Sequence, residues 1–98
     1  LESAYQQCLA RELHLNSIAF QAEVPLPIEY KGINLDCGYR MDILVENSII
    51  LELKSVDSIH PIHEAQILSY MKLAKLKQGF LINFNVQILK QGLKSFVL

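Results

Sequence analysis

The chain has 98 residues, 51% hydrophobic and 19% charged, with a formal net charge of −1. This length suits one domain covering residues 1–98 and leaves no room for a second. The apolar composition excludes an intrinsically disordered chain, and the balanced charge excludes the overall basic field that drives non-specific nucleic-acid binding.

Helical and extended patterns alternate along the first third of the chain. Apolar residues at helical spacing predict a first helix over 1–15. Over 18–30 the apolar residues recur at every second position, and Pro25 and Pro27 interrupt the pattern. Because proline lacks the N–H of a sheet ladder, this segment is predicted as an edge strand or a bulged strand.

The middle of the chain indicates a hairpin of two central strands. Segments 33–45 and 49–54 are rich in apolar residues, and a three-residue loop, 46–48, separates them. This loop length places Ile43 opposite Leu51 and Met41 opposite Leu53, which collects the large apolar residues on one face. A two-residue loop would bury charge, so hydrophobic pairing selects the three-residue loop.

The last third of the chain predicts a second helix and two short strands. Pro61 suits the first position of a helix that runs to about residue 76, where lysines complement the helix dipole and Gly79 follows. Strands are predicted over 79–84 and, less regularly, over 95–98. The order αβββαβ predicts an α+β fold in which helices pack on one sheet.

The selected hairpin register also brings polar residues together. Asp42 lies opposite Glu52, and two opposed carboxylates repel unless a positive charge lies between them. Oxygen ligands favour Mg²⁺ or Mn²⁺, and Lys54 on the same face could activate a water or neutralise developing phosphate charge. Alternatively, Arg40, Asp42, Glu52 and Lys54 form an ordinary solvated cluster of cross-strand charges, and spacing alone leaves both interpretations open.

Polar residues of both helices could face this pair. Glu2 lies inside the apolar arc of the first helix, where it could reach a metal ion or simply complement the helix dipole. Gln66 and Tyr70 are spaced i, i+4 in the second helix, on the side that carries Ile62 and Leu73. They could orient a substrate phosphate or the lysine, or they could form a hydrogen-bonded pair on the helix surface.

The histidines and cysteines carry weaker signals. His60 and His63 lack a third ligand for zinc, although His63 could contact a phosphate at the mouth of a pocket. Cys8 and Cys37 have no metal-ligand spacing and are expected to be small core residues in a reducing, cytoplasmic compartment. No apolar run reaches the roughly 20 residues of a membrane span and no leader opens the chain, so no membrane association is expected.

Six segments in chain order resemble the GxxExxY family, a branch of the PD-(D/E)xK nuclease superfamily. They are LESAYQQCLARELH with Glu2 and Tyr5 of E-x-x-Y, VPLPIEYKG, GYRMDILV, IILELK, HEAQILSYMKL and GFLINF. Two features depart from the family pattern. Its opening glycine would precede Leu1, and Ser95 stands where similar proteins tend to have a basic residue.

The resemblance implies a restriction-endonuclease-like core, with a mixed sheet flanked by helices, and a metal-dependent nuclease that hydrolyses DNA or RNA. The matching positions imply the following roles: Asp42 and Glu52 as metal-binding acids together with the main-chain carbonyl of Leu53, Glu2 as a helix acid that completes or supports the metal site, Lys54 as catalytic lysine, and Gln66 as the polar helix residue.

We therefore expect a phosphodiesterase that uses Mg²⁺ or Mn²⁺ and acts on nucleic acid. Arg40, Tyr70 and His63 are expected to contact the substrate. The alternative is a catalytically silent module that keeps the nuclease fold for binding or regulation, in the form of a homodimer. A third interpretation is one half of a toxin or defence pair.

Overall fold

A computed structural model describes all residues, 1–98. Two helices and seven strands follow one another along the chain. In order they are α1 (Glu2–Leu15), β1 (Phe20–Pro25), β2 (Ile28–Tyr30), β3 (Ile33–Leu35), β4 (Arg40–Val45), β5 (Ile49–Lys54), α2 (Pro61–Ala74), β6 (Gln78–Asn83) and β7 (Leu93–Val97), with a 3-10 turn over Leu89–Gly92.

Five strands form one mixed sheet in the order β1-β4-β5-β6-β7. β5 and β6 are parallel because α2 carries the chain back between them, and the other neighbours are antiparallel. Helix α1 packs on one face through Leu9 and Leu13, and α2 packs on the other through Ile67 and Met71. The α+β fold with a mixed sheet flanked by helices, consistent with a restriction-endonuclease-like core, is confirmed.

The predicted hairpin register is confirmed where the ladder is regular. Val45 pairs with Ile49 and Ile43 pairs with Leu51 around the loop at 46–48. β4 and β5 are interior strands, and β1 is an edge strand, as its prolines predicted.

Two predicted strands are each broken into shorter ones. Segment 18–30 divides into β1 and β2, and segment 33–45 divides into β3 and β4, so β2 and β3 form a separate two-stranded sheet. Pro25 and Pro27 lack the N–H groups that a continuous ladder would need. In segment 33–45 the break lies at Gly38. This residue has φ +77° and donates its N–H to Asp36 Oδ1 at 3.0 Å, and the resulting turn separates β3 from β4.

The predicted single apolar face is wrong in detail. Ile43 packs on the α1 side of the sheet, whereas Met41 packs on the α2 side with Leu44 and Ile50. Strict alternation would keep Met41 and Ile43 together. The change of face coincides with Glu23 of the neighbouring strand, which has φ +54°. A bulge-like distortion of the β1–β4 pair at this point accounts for Met41 and Ile43 lying on opposite faces, which strict alternation does not allow.

The helices begin and end close to the predicted residues. Pro61 is the first residue of α2, and Lys75, in the left-handed conformation, ends it.

Cys8 and Cys37 are exposed, so the expectation of two core cysteines is wrong. α1 has no fully buried residue because only its Leu9 and Leu13 side faces the sheet. Neither helix is long and apolar enough to cross a bilayer.

Candidate active site

Two carboxylates meet where the β4–β5 ladder loses its regular main-chain bonds. Beyond the Ile43–Leu51 pair, the Asp42 N–H donates to Glu52 Oε1 at 3.2 Å. In return, the Leu53 N–H donates to Asp42 Oδ2 at 2.8 Å. Because side chains replace the main-chain ladder, both acids are held close to the neighbouring strand.

Burial makes this acid pair unusual. Glu52 is only 3% exposed. Burial, and then the charge of Asp42, raise the pKa of Glu52 to about 8. Burial also raises the pKa of Asp42, and the negative charge of Glu23 raises it further. The hydrogen bond from the Leu53 N–H lowers the same pKa, but by less than burial raises it. At neutral pH the pair therefore retains a proton unless another positive charge replaces it.

Lys54 is the cationic residue whose charge acts on both acids of this pair. It is the last residue of β5 and is half-buried. Its positive charge lowers the pKa of both Asp42 and Glu52, although less than burial raises them. The structure thus brings Asp42, Glu52 and Lys54 together, as the hairpin register predicted.

Helix α1 reaches the pair through a residue that sequence reasoning missed. Gln6 Nε2 donates to Glu23 Oε1 at 2.9 Å and lies 3.4 Å from the carbonyl oxygen of Asp42. Glu2 is exposed and makes no hydrogen bond to the acids. Gln6 lies one helical turn after Glu2, and only the pairing of β1 with β4 places Glu23 beside Asp42.

Helix α2 presents Gln66 and Tyr70 to a groove beside the sheet. Gln66 Nε2 donates to the Tyr70 hydroxyl at 2.9 Å, so the two residues form the hydrogen-bonded pair that their spacing allowed. The Tyr70 ring packs at a tilt on Tyr39, with centroids 5.9 Å apart. Ile62 and Leu73 line the same groove of about 410 Å³, which confirms that these positions share one side of the helix.

Arg40 and His63 make local contacts. Arg40 donates to the carbonyl oxygen of Tyr39 at 2.9 Å and lies 3.6 Å from Asp36. Its ion-pair partner is Asp36 and not Asp42 or Glu52, so the four-charge cluster is not formed. His63 Nδ1 accepts the N–H of His60 at 3.0 Å, which caps the start of α2.

The donor atoms of the acid pair fit a hard divalent cation. No group of three or more His, Cys, Asp and Glu side chains is placed so that together they could hold a metal ion. Two carboxylates and a main-chain oxygen would leave the remaining positions to water, as Mg²⁺ commonly accepts.

A comparison with protein families gives one match. The model of the PD-(D/E)XK nuclease superfamily matches residues 1–96. No curated protein matches the chain. No solved structure matches it either.

Proposed function

Because the chain belongs to the PD-(D/E)XK nuclease superfamily, we propose that it is a metal-dependent nuclease that hydrolyses phosphodiester bonds in DNA or RNA. The observation that supports this most is the buried pair Asp42 and Glu52 beside Lys54. Burying two acids together is unfavourable, and a site for a cation explains why a small domain would keep them.

We assign the metal ligands to the centre of the distorted hairpin. Asp42, Glu52 and the carbonyl oxygen of Leu53 would hold Mg²⁺ or Mn²⁺. A bound ion of this kind supplies positive charge to a phosphate oxygen and lowers the pKa of water. In this proposal Glu2 supports the site from α1, and Gln6 fixes the carboxylate of Glu23 on the same side.

The remaining residues act on the substrate or the proton. Lys54 places an ammonium group beside the acids, where it stabilises negative charge that develops on the phosphate. Gln66 and Tyr70 form a polar pair at the edge of the groove on α2. We propose that Arg40 and His63 contact the nucleic acid, whereas Gln66 orients the hydroxyl group of Tyr70, which is itself almost fully buried.

The same proposal includes membership in the GxxExxY branch of the superfamily and a location in the cytoplasm. Membership in the GxxExxY branch rests on Glu2 and Tyr5, and Tyr5 stacks on Phe84 with ring centroids 4.4 Å apart. This contact gives the tyrosine of the motif a role in docking α1 on the sheet. Cys8 and Cys37 are both free, which agrees with a reducing cytoplasm.

One observation favours the catalytically silent module. Asp42 and Glu52 each already accept a main-chain N–H, and a shared proton would satisfy the pair without a metal ion. In that case the acids only shape the hairpin. Mn²⁺ titration separates the two functions, because folded wild-type protein that binds no Mn²⁺ supports the module.

Cleavage of labelled single- and double-stranded DNA and RNA with Mg²⁺ or Mn²⁺ tests the nuclease. We expect Glu52→Gln and Lys54→Gln each to reduce the rate about 100-fold or more, as lost transition-state charge stabilisation does. The matched controls are the same exchanges at exposed positions, Glu12→Gln and Lys77→Gln, which should cleave like wild type. Full activity in both site variants would remove these residues from the mechanism.

A further inference from the structure

The β2–β3 hairpin, here called the arm (28–35), has one apolar face. Ile28 pairs with Leu35 and Tyr30 pairs with Ile33, so these four side chains share a face. Tyr30 is 56% exposed and Ile33 is 58% exposed. β2 and β3 pair only with each other, and a two-stranded hairpin alone is marginally stable in water. The arm therefore needs a surface to cover this face.

The apolar face of the arm continues into the α2 groove. Ile28 belongs to both, because it pairs with Leu35 and also lines the groove. Ile62 is 71% exposed at the groove, although it is a large apolar side chain. The exposed parts of six residues amount to roughly 600 Å² per copy, close to the ~800 Å² that each partner gives to a stable interface. These six are Tyr30, Ile33, Leu35, Tyr39, Ile62 and Leu73.

Charge around this surface fits a protein and not a nucleic acid. No residue that lines the groove is charged. The arm carries Glu29 and Lys31, and Asp36 and Arg40 pair with each other just beyond it. Positive and negative groups are therefore balanced at the rim, and the net charge of −1 does not oppose self-association. Nucleic acid requires an excess of positive charge that this surface lacks.

The arm and the groove form a self-complementary pair within one chain. The tip of the arm, Tyr30 and Ile33, does not fill the groove of its own chain, since both residues are exposed. A two-fold dimer needs a surface on which one residue set contacts a second set and the reverse contact is equivalent. We propose that two copies of this chain form such a dimer, in which the arm of each copy packs into the α2 groove of the other.

Single charge substitutions test the two halves of this interface. Ile33→Glu in the arm and Ile62→Lys in the groove each place two charges at the dimer interface, one per copy. We expect each to raise the dimer dissociation constant at least ten-fold in sedimentation at several concentrations. The control is Val97→Glu on β7, which is 72% exposed and lies outside the surface. It should leave the dissociation constant unchanged, and circular dichroism checks the fold of every variant.

Mixing the two variants tests the contact itself. In a mixed dimer, the carboxylate introduced by Ile33→Glu in one copy would face the ammonium group introduced by Ile62→Lys in the other, while the second arm and groove remain wild type. We expect the mixture to dimerise more strongly than either variant alone. A monomeric wild type, a dimer broken by Val97→Glu, or a mixture no stronger than its parts would each overturn the proposal. The proposal would also be overturned if the wild type were a monomer that binds oligonucleotides and the arm variants lost this binding.

Discussion

At Glu52 a carboxylic acid is kept inside the protein although burial opposes its charge. Its Oε1 accepts only the Asp42 N–H, and its exposed fraction is 3%. Asp42 is the second acid within reach, so both groups titrate as a pair. The pKa of Glu52, about 8, makes the acid pair a stability-determining feature as well as a candidate site.

The raised pKa of Glu52 predicts that stability falls as the pH rises. Between the usual carboxyl pKa of 4.5 and about 8, the folded chain binds more protons than the unfolded chain. The free energy of unfolding therefore decreases through this window, by about 2–3 kcal/mol between pH 5 and 7.5. Urea denaturation of metal-free protein at a series of pH values measures the decrease.

Glu52→Gln is the control for this pH dependence. Glutamine keeps an oxygen that can accept the Asp42 N–H, but it has no proton to lose. The variant should match or exceed the stability of wild type at pH 7.5 and lose most of the decrease in stability between pH 5 and 7.5. Parallel stability curves for the two proteins would show that Glu52 is not protonated when folded.

At the scale of elements, the approach of α2 to the sheet depends on Gly79 in β6. A Cβ atom at this position would lie 2.8 Å from Ile50 Cγ2 and 2.9 Å from Met71 Sδ. At such short distances the neighbouring side chains would have to move. Ile50, Met71 and Ile67 have little room to do so, because they are fully buried between the helix and the sheet. The missing side chain at Gly79 thus sets how closely α2 packs.

Gly79→Ala should destabilise the fold by about 1–3 kcal/mol, because it overpacks this contact. Thermal and urea denaturation measure the change. Gly38→Ala provides the contrast, since its position has open space and φ +77°. It should cost only about 1 kcal/mol through backbone strain. Equal effects of the two substitutions would mean that helix packing at Gly79 is loose enough to adapt.

At the scale of the molecule, the proposed cation connects elements that are distant in the chain. α1 contacts the site through Gln6, β1 through Glu23, and the β4–β5 hairpin supplies the acids. An ion that binds only when these elements are assembled stabilises the whole fold by mass action. Binding should also compete with the proton that the pair retains.

Mn²⁺ should therefore raise the melting temperature, and more at pH 8 than at pH 6. At 100 times its dissociation constant the ion contributes about 2.7 kcal/mol, which raises the melting temperature by roughly 10–20 °C for a domain of this size. At pH 6 the proton must leave first, so the shift is smaller. Glu52→Gln should lose the shift at both pH values, whereas Glu12→Gln should keep it. Equal shifts in wild type and Glu52→Gln would place the ion elsewhere.

Local patterns by themselves determined much of this protein. Helical spacing and Pro61 define α1 and α2, and the three-residue loop defines the register that brings Asp42 close to Glu52. These features follow from interactions between residues that are near in the chain, where periodicity and turn length leave few alternatives.

The remaining features depend on contacts between elements that are far apart in the chain. The positive φ of Glu23, the change of face at Met41, and the contact of Gln6 with Glu23 depend on which strand lies beside β4. The separation of the arm depends on where the two predicted strands break. Such features involve partners far apart in the sequence, and no local period records them.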